Sequence, residues 1–201
     1  MPRKKMSREL RGEKIEQILD AARTVFARKG TAATMAEVAA AAGISQGLAY
    51  RYFPSKEAIL TSLVKRSAGS GGGPAERIKK IPGSAGKRLE ALISYIVADR
   101  RERPEFYQFL YQVLTDDAVQ GDLRQVVRRN GREIQDVMRT LIVEGQATGE
   151  VVKDDPDQLM AALVSSIDGL VRWMPLFNPE LAEEHYPDAR IFLRMLKPEL
   201  G

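Results

Sequence analysis

Residues 34–56, TMAEVAAAAGISQGLAYRYFPSK, leave this chain few ways to fold. Thr34 followed three residues later by Glu37 is a capping box, because the hydroxyl and the carboxylate each satisfy a backbone donor that the first turn of a helix leaves unpaired. A helix therefore starts at Met35. It runs through the alanine-rich segment to Ala42 and stops at Gly43, which takes the left-handed conformation without a Cβ clash. Ser45 caps a second helix over residues 46–53, and Pro54 ends it by supplying no backbone donor and restricting the residue before it. Two short helices joined by a glycine-containing turn make a helix-turn-helix unit.

The second of these helices carries the function. Ser45, Gln46, Gly47, Tyr50 and Arg51 offer donors, acceptors and charge, and would be unusual in a core. Gly47 costs about 1 kcal/mol of helix propensity relative to alanine, but it lets a neighbouring surface approach the backbone. Tyr50, Tyr52 and Lys56 interleave aromatic hydroxyls with a cation, which suits phosphate oxygens at the edge of a groove. On this reading Tyr50 and Lys56 hold phosphates, Gln46, Gly47 and Arg51 lie nearest base edges, and Thr34, Ser45 and Tyr52 complete the DNA-facing set. The plain alternative is a solvated helical hairpin.

Thr34, Val38, Ala39, Ala42, Gly43, Ser45, Gly47, Tyr50, Tyr52, Phe53, Ser55, Lys56 and Leu60 resemble, in register and without a gap, the DNA-binding signature of the tetracycline-repressor (TetR) family of bacterial regulators. The resemblance covers residues 13–63 and implies a DNA-binding regulator whose C-terminal part varies with its ligand and usually dimerises. Ala49 departs from the pattern, since the family often has a larger aliphatic residue there. That departure shifts the expected packing beneath the recognition helix toward Leu48 and Phe53.

Charge points the same way. Residues 1–66 hold thirteen Lys and Arg against six Asp and Glu, leaving eighteen against twenty-one for the remainder. A basic first third joined to a mildly acidic remainder faces a polyanion with one end only. The first eleven residues, with five basic side chains and one acid, are expected to fray as an arm that either reaches along DNA or merely solubilises. The absence of cysteine removes disulfides and thiol chemistry and fits a reducing, cytoplasmic setting. No run is long enough to span a membrane.

Residues 13–28 place Ile15, Ile18, Leu19, Ala22, Val25 and Phe26 on one stripe, giving a supporting helix that packs on Val38, Ala39, Ile44, Leu48 and Phe53. Ser55 caps a fourth helix, whose apolar face is Ile59, Leu60, Leu63 and Val64 and which is read as the lever to the C-terminal domain. Residues 67–74, SAGSGGGP, form a glycine-rich joint. The expected division is thus a DNA-binding domain at 1–66, the joint at 67–74, and an effector-binding and dimerisation domain at 75–201.

Helices are expected at 85–101, 104–115, 123–148, 156–173 and 188–197. The segment 104–115 has more aromatic residues than one stripe needs, which predicts burial on more than one side. Tyr95, Phe106, Tyr107, Phe109, Tyr111, Trp173, Met174 and Phe177 are the candidate lining of a mainly apolar pocket, against the plainer reading of these aromatics as core. Arg124, Arg128, Arg129 and Arg132 read as a solvated stripe, with an acidic ligand as the alternative. Leu159, Leu163, Ser166, Ile167 and Leu170, with Ile191, Phe192 and Met195, form two amphipathic faces suited to a four-helix contact with a second copy.

Catalysis has little to work with. His185 is the single histidine, in a polar connection that marks an exposed loop, so neither a triad nor a histidine metal site is expected. Neither a catalytic set nor a cofactor is expected. The chain therefore reads as all-α: a three-helix helix-turn-helix domain followed by a helical ligand-binding and dimerisation bundle. The function that fits is a ligand-responsive repressor that binds a palindromic operator in double-stranded DNA as a homodimer and answers to a small apolar or amphipathic effector. A helical protein-interaction module, and an enzyme on a helical scaffold, are the competing classes.

Overall fold

A computed structural model of the chain describes residues 2–67, 74–117, 119 and 121–198, with side chains from residue 10 onward except at 67 and 181–183. Every regular element among them is helical. In order they are α1 (Pro2–Lys29), a 3₁₀ turn (Gly30–Ala32), α2 (Met35–Ala41), α3 (Gln46–Tyr52), α4 (Lys56–Ser67), α5 (Pro74–Lys79), α6 (Ala85–Glu102), α7 (Pro104–Thr115), α8 (Gly121–Ala147), α9 (Pro156–Arg172), α10 (Met174–Phe177), α11 (Pro179–Glu184), α12 (Ala189–Leu193) and a closing 3₁₀ turn (Arg194–Leu196). The basic arm expected to fray continues α1 as helix from Pro2. Its Arg, Lys, Met, Glu and Leu residues are good helix formers, and no proline interrupts the run after residue 2.

The chain divides into two compact units, the first made of residues 1–67 and 108–128, the second of 68–107 and 129–201. The division expected at residues 66 and 75 assigned 108–128 to the second domain. These residues pack in the first unit instead. The core of that unit joins Ile18, Leu19, Ala22, Val25 and Phe26 of α1 to Val38 and Ala39 of α2, Ala49 of α3, and Ile59, Leu60, Leu63 and Val64 of α4. Phe109 and Val113 of α7, with Leu123 and Val127 of α8, then complete it. The joint itself, over 68–73, lies outside the described residues.

Beneath α3 the structure corrects one expectation. Ala49 is fully buried, whereas Leu48 is half-exposed and Tyr52 packs against the core beside Phe53. The register set by the Ser45 cap turns position 49 inward, and a methyl group there brings α3 close against its neighbours.

In the second unit, Leu89, Leu92, Ile93, Ile96 and Val97 of α6 meet Val137, Met138, Leu141 and Ile142 of α8, with Leu163 and Ile167 of α9 and Phe192 and Leu196 near the C-terminus. Asp155 caps α9 by accepting from the N–H groups of Asp157 and Gln158, with Pro156 at its first position. Two short helices, α10 and α11, which sequence periodicity does not announce, follow α9. The single last helix expected over 188–197 is α12 and a 3₁₀ turn, tied back where Val152 N–H donates to the Leu196 carbonyl at 2.9 Å.

The aromatic residues of α7 are divided between the two units. Phe106 lies in the second unit, whereas Phe109 stacks on Phe26 in the first at 5.5 Å between ring centroids. The buried residues Phe106, Phe109 and Val113 fall at a spacing that puts them on one stripe, with Tyr107, Leu110, Tyr111 and Leu114 half-buried beside it.

Candidate nucleic-acid interface

Local hydrogen bonds fix the geometry of the DNA-facing segment. Thr34 and Glu37 form the full capping box, the Thr34 N–H donating to Glu37 Oε2 at 3.0 Å and the Glu37 N–H to Thr34 Oγ1 at 3.3 Å. Lys29, at the end of α1, donates to the same Glu37 carboxylate. That hydrogen bond first, and the one from the Thr34 backbone second, hold the Glu37 carboxyl below its ordinary range. At the other end of α2, Gln17 Nε2 donates to the Ala42 carbonyl at 2.7 Å, and Gly43 turns the chain at φ 62°. Gly43 therefore needs to be glycine. Ser45 Oγ then accepts from the Leu48 N–H at 3.2 Å, starting α3, and Ser55 Oγ accepts from the Ala58 N–H, starting α4.

Supported in this way, α3 buries one side at Ala49 and exposes Gln46, Gly47 and Arg51 on the other, with Tyr50 48% exposed. A Cβ built on Gly47 would meet nothing within 4 Å inside the chain, so no internal packing accounts for a glycine there. Thr34 and Ser45 are exposed, but each already accepts a capping bond. Two members of the expected set are engaged internally. The Tyr52 ring packs against the core, and the half-buried Lys56 ammonium donates to the Thr31 carbonyl at 2.6 Å. Lysine has three ammonium donors, so this bond leaves Lys56 able to meet a phosphate oxygen as well.

Sequence reasoning missed Thr31 and Asp116, which meet in the first unit with Thr31 Oγ1 donating to Asp116 Oδ2 at 2.8 Å. They stand 85 residues apart and no local signal links them.

The aromatic residues expected to line a pocket are divided between the two units. Phe109 and Tyr111 fall in the first unit. In the second unit, Trp173 and Phe177 stack on each other and are 53% and 80% exposed, with Met174 half-buried between them in sequence. Tyr95, Phe106 and Tyr107 do sit in the second unit, around a polar cluster. Asp99 is the buried charge among the described residues, and it accepts from both Arg103 and the Tyr107 hydroxyl. Burial, above all, pushes the Tyr107 hydroxyl far above its usual range. Arg100 lies 4.4 Å from the centre of the Tyr107 ring and donates to Asp168 at 2.8 Å. A separate open cavity of about 430 Å³ is lined by α5, α6 and α8, among them Ile78, Arg88, Glu133, Asp136, Val137 and Leu141.

The expected dimer faces are also redistributed. Leu163, Ile167 and Phe192 are buried in the chain's own core, and Leu159 and Leu170 are half-buried. An amphipathic stripe is satisfied by whichever core reaches it first, and here α6 and α8 of the same chain do. Between its charged and polar ends, α9 turns small residues outward, Ala161, Ala162, Ser165 and Ser166, with Ile191 and Met195 exposed nearer the C-terminus.

His185 is exposed, and no helix among the described residues is long and apolar enough to cross a membrane. Residues 18–63 match the family model for bacterial regulatory proteins of the tetR family, and residues 82–176 match that for the C-terminal domain of tetracycline-repressor-like proteins. The chain is similar to the HTH-type transcriptional regulator BetI of Rhizobium meliloti, at 27% identity over 154 residues, covering 76% of this chain and 73% of that one. In fold it is similar to the MbdR regulator from Azoarcus sp. CIB, with a TM-score of 0.75 at 22% identity over 94% of this chain and 100% of that one. The transcriptional regulator FadR from Bacillus subtilis, solved in complex with stearoyl-CoA, is also similar, with a TM-score of 0.68 at 24% identity over 90% and 96%. An exposed polar recognition helix on a capped helix-turn-helix, followed by a matching C-terminal domain, places this chain in the TetR family of DNA-binding transcriptional regulators.

Proposed function

We propose that this regulator is a cytoplasmic homodimeric repressor that binds an inverted-repeat operator and releases it when a small amphipathic or apolar molecule occupies the second unit. The observation that carries this reading is the division of α3, buried at Ala49 and open at Gln46, Gly47, Tyr50 and Arg51. Gln46 and Arg51 have the donors and acceptors that read base edges in a major groove, and Gly47 admits close approach. Tyr50 and Lys56 hold phosphates on either side.

A dimer presents two such helices one helical turn of DNA apart, roughly 34 Å, which is why the operator is an inverted repeat. The outward face of α9 supports the dimer, since Ala161, Ala162, Ser165 and Ser166 let two helices approach closely while Ile191 and Met195 add apolar area. The effector class is supported by the second unit, where Tyr95, Phe106 and Tyr107 stand beside Arg100, Arg103 and Asp168. The Tyr186 hydroxyl, buried and without a hydrogen-bond partner among the described residues, adds a polar group there with capacity to spare. The complex of FadR with stearoyl-CoA is a precedent for a ligand with an apolar body and a charged head.

The test is selection of bound fragments from random DNA at physiological salt. Enrichment of an inverted repeat is expected, and enrichment of nothing, or of a single half-site, refutes the dimeric operator. Gln46→Ala should relax preference at one base position by about 1–3 kcal/mol. Stearoyl-CoA titrated into the operator complex tests the effector class, with falling affinity expected and unchanged affinity counting against it.

A further inference from the structure

The Gly30–Ala32 turn is held from several sides. Thr31 donates through its hydroxyl to Asp116 Oδ2 at 2.8 Å, and its carbonyl accepts from Lys56 Nζ at 2.6 Å. Gly30 sits at φ 58°, and Gln112 Oε1 occupies the space a Cβ would need, so glycine lets Gln112 lie against the turn. Asp116 is itself fixed. Its N–H donates to the Gln112 carbonyl at 2.8 Å, and Arg124 Nη2 donates to the carbonyls of Asp116 and Val119 at 2.9 and 3.1 Å. All of these residues belong to the first unit.

We infer that Asp116, on the turn between α7 and α8, is a positioning residue for DNA binding: it holds Thr31, and the Thr31 carbonyl holds the Lys56 ammonium where a phosphate can meet it. The inference rests on the proposed phosphate contact of Lys56. A lysine free in solvent gives up rotamer entropy when it engages a phosphate, and one already anchored gives up less. The Asp116 carboxylate therefore raises DNA affinity without touching DNA.

Charge alone argues for the opposite result, which makes the test decisive. Removing an acid from a basic DNA-binding unit should by itself strengthen binding to a polyanion. The experiment measures operator affinity against salt concentration for wild type, Lys56→Ala, Asp116→Ala, Asp116→Asn, Thr31→Val and the Lys56→Ala/Asp116→Ala pair. Lys56→Ala should lower the salt slope by about one unit. Asp116→Ala and Thr31→Val should each weaken binding about tenfold and lower the slope similarly, and the pair should be no worse than Lys56→Ala alone. Asp116→Asn keeps an acceptor oxygen and should retain most of the affinity. If Asp116→Ala proves unfolded by circular dichroism, Thr31→Val, which replaces the hydroxyl with a methyl group of similar size, decides in its place. Wild-type slope and affinity in these variants, or losses that add to that of Lys56→Ala, overturn the inference and leave DNA binding by α3 intact. A wild-type slope in Lys56→Ala removes the phosphate contact and the inference together, while a wild-type protein without sequence preference overturns the proposed function itself.

Discussion

Phe109→Ala tests whether residues late in the chain belong to the DNA-binding unit. Phe109 is 3% exposed, stacks on Phe26 at 5.5 Å, and shares a core with α1, α2 and α4. Truncating a fully buried phenylalanine costs about 3–5 kcal/mol, the lost ring pair accounting for roughly 0.5–1.5 kcal/mol of it. Against a typical total of about 5–15 kcal/mol, that is enough to unfold the unit in a measurable fraction of molecules. The two compact units make a single unfolding curve ambiguous, so native-state hydrogen exchange is the appropriate assay. Amides of α1, α2 and α4 should lose protection by about 3–5 kcal/mol, while those in the α6 and α9 core lose much less. Losses under about 1 kcal/mol in α2 and α4, or losses confined to α6 and α9, would refute the placement of α7 in the first core.

Gly47→Ala should raise helix stability by up to about 1 kcal/mol, since a Cβ there meets nothing, yet weaken operator binding; tighter binding together with higher stability would remove the close-approach role of Gly47. Ala162→Glu, on the outward face of α9, should give folded monomers in sedimentation, whereas Leu163→Glu, with its side chain in the protomer's core, should unfold the second unit; a dimeric Ala162→Glu protein would place the interface elsewhere. Because the Glu37 carboxyl is held below its ordinary value of 4.5, its contribution to stability is fully present above that value and lost as pH falls through the lower folded one. The stability difference between wild type and Glu37→Ala should thus be constant above about pH 5 and shrink as the carboxyl is protonated in acid, and a difference that never changes with pH would contradict the pairing with Lys29.

The parts of this fold that were legible in the sequence are those fixed within a few residues. The Thr34–Glu37 box, the Gly43 turn, the Ser45 and Asp155 caps and the break at Pro104 are all local chemistry. Patterns stop short of saying which apolar surface a stripe will meet. Leu163, Ile167 and Phe192 have the periodicity of an interface because an interface and a core ask for the same spacing. At position 48 side-chain size points leucine inward, but the register of α3 buries Ala49 instead. The bond between Thr31 and Asp116 and the stack of Phe26 on Phe109 depend on contacts across more than 80 residues, which no window along the chain contains.

A DNA-binding unit assembled from residues 1–67 and 108–128 also sets an order of events during synthesis. The helix-turn-helix leaves the ribosome with Phe26 and its neighbours still lacking Phe109, Val113, Leu123 and Val127. At about 5–20 residues per second, the closing segment arrives roughly 3–12 seconds later, and until then apolar surface on α1 and α4 stays uncovered. During that interval the core of the nascent unit is incomplete. The same arrangement governs recombination: a chimaera cut at the glycine-rich joint would separate this unit from its own closing segment. A transplant that preserves its core has to carry residues 108–128 along with the first 67.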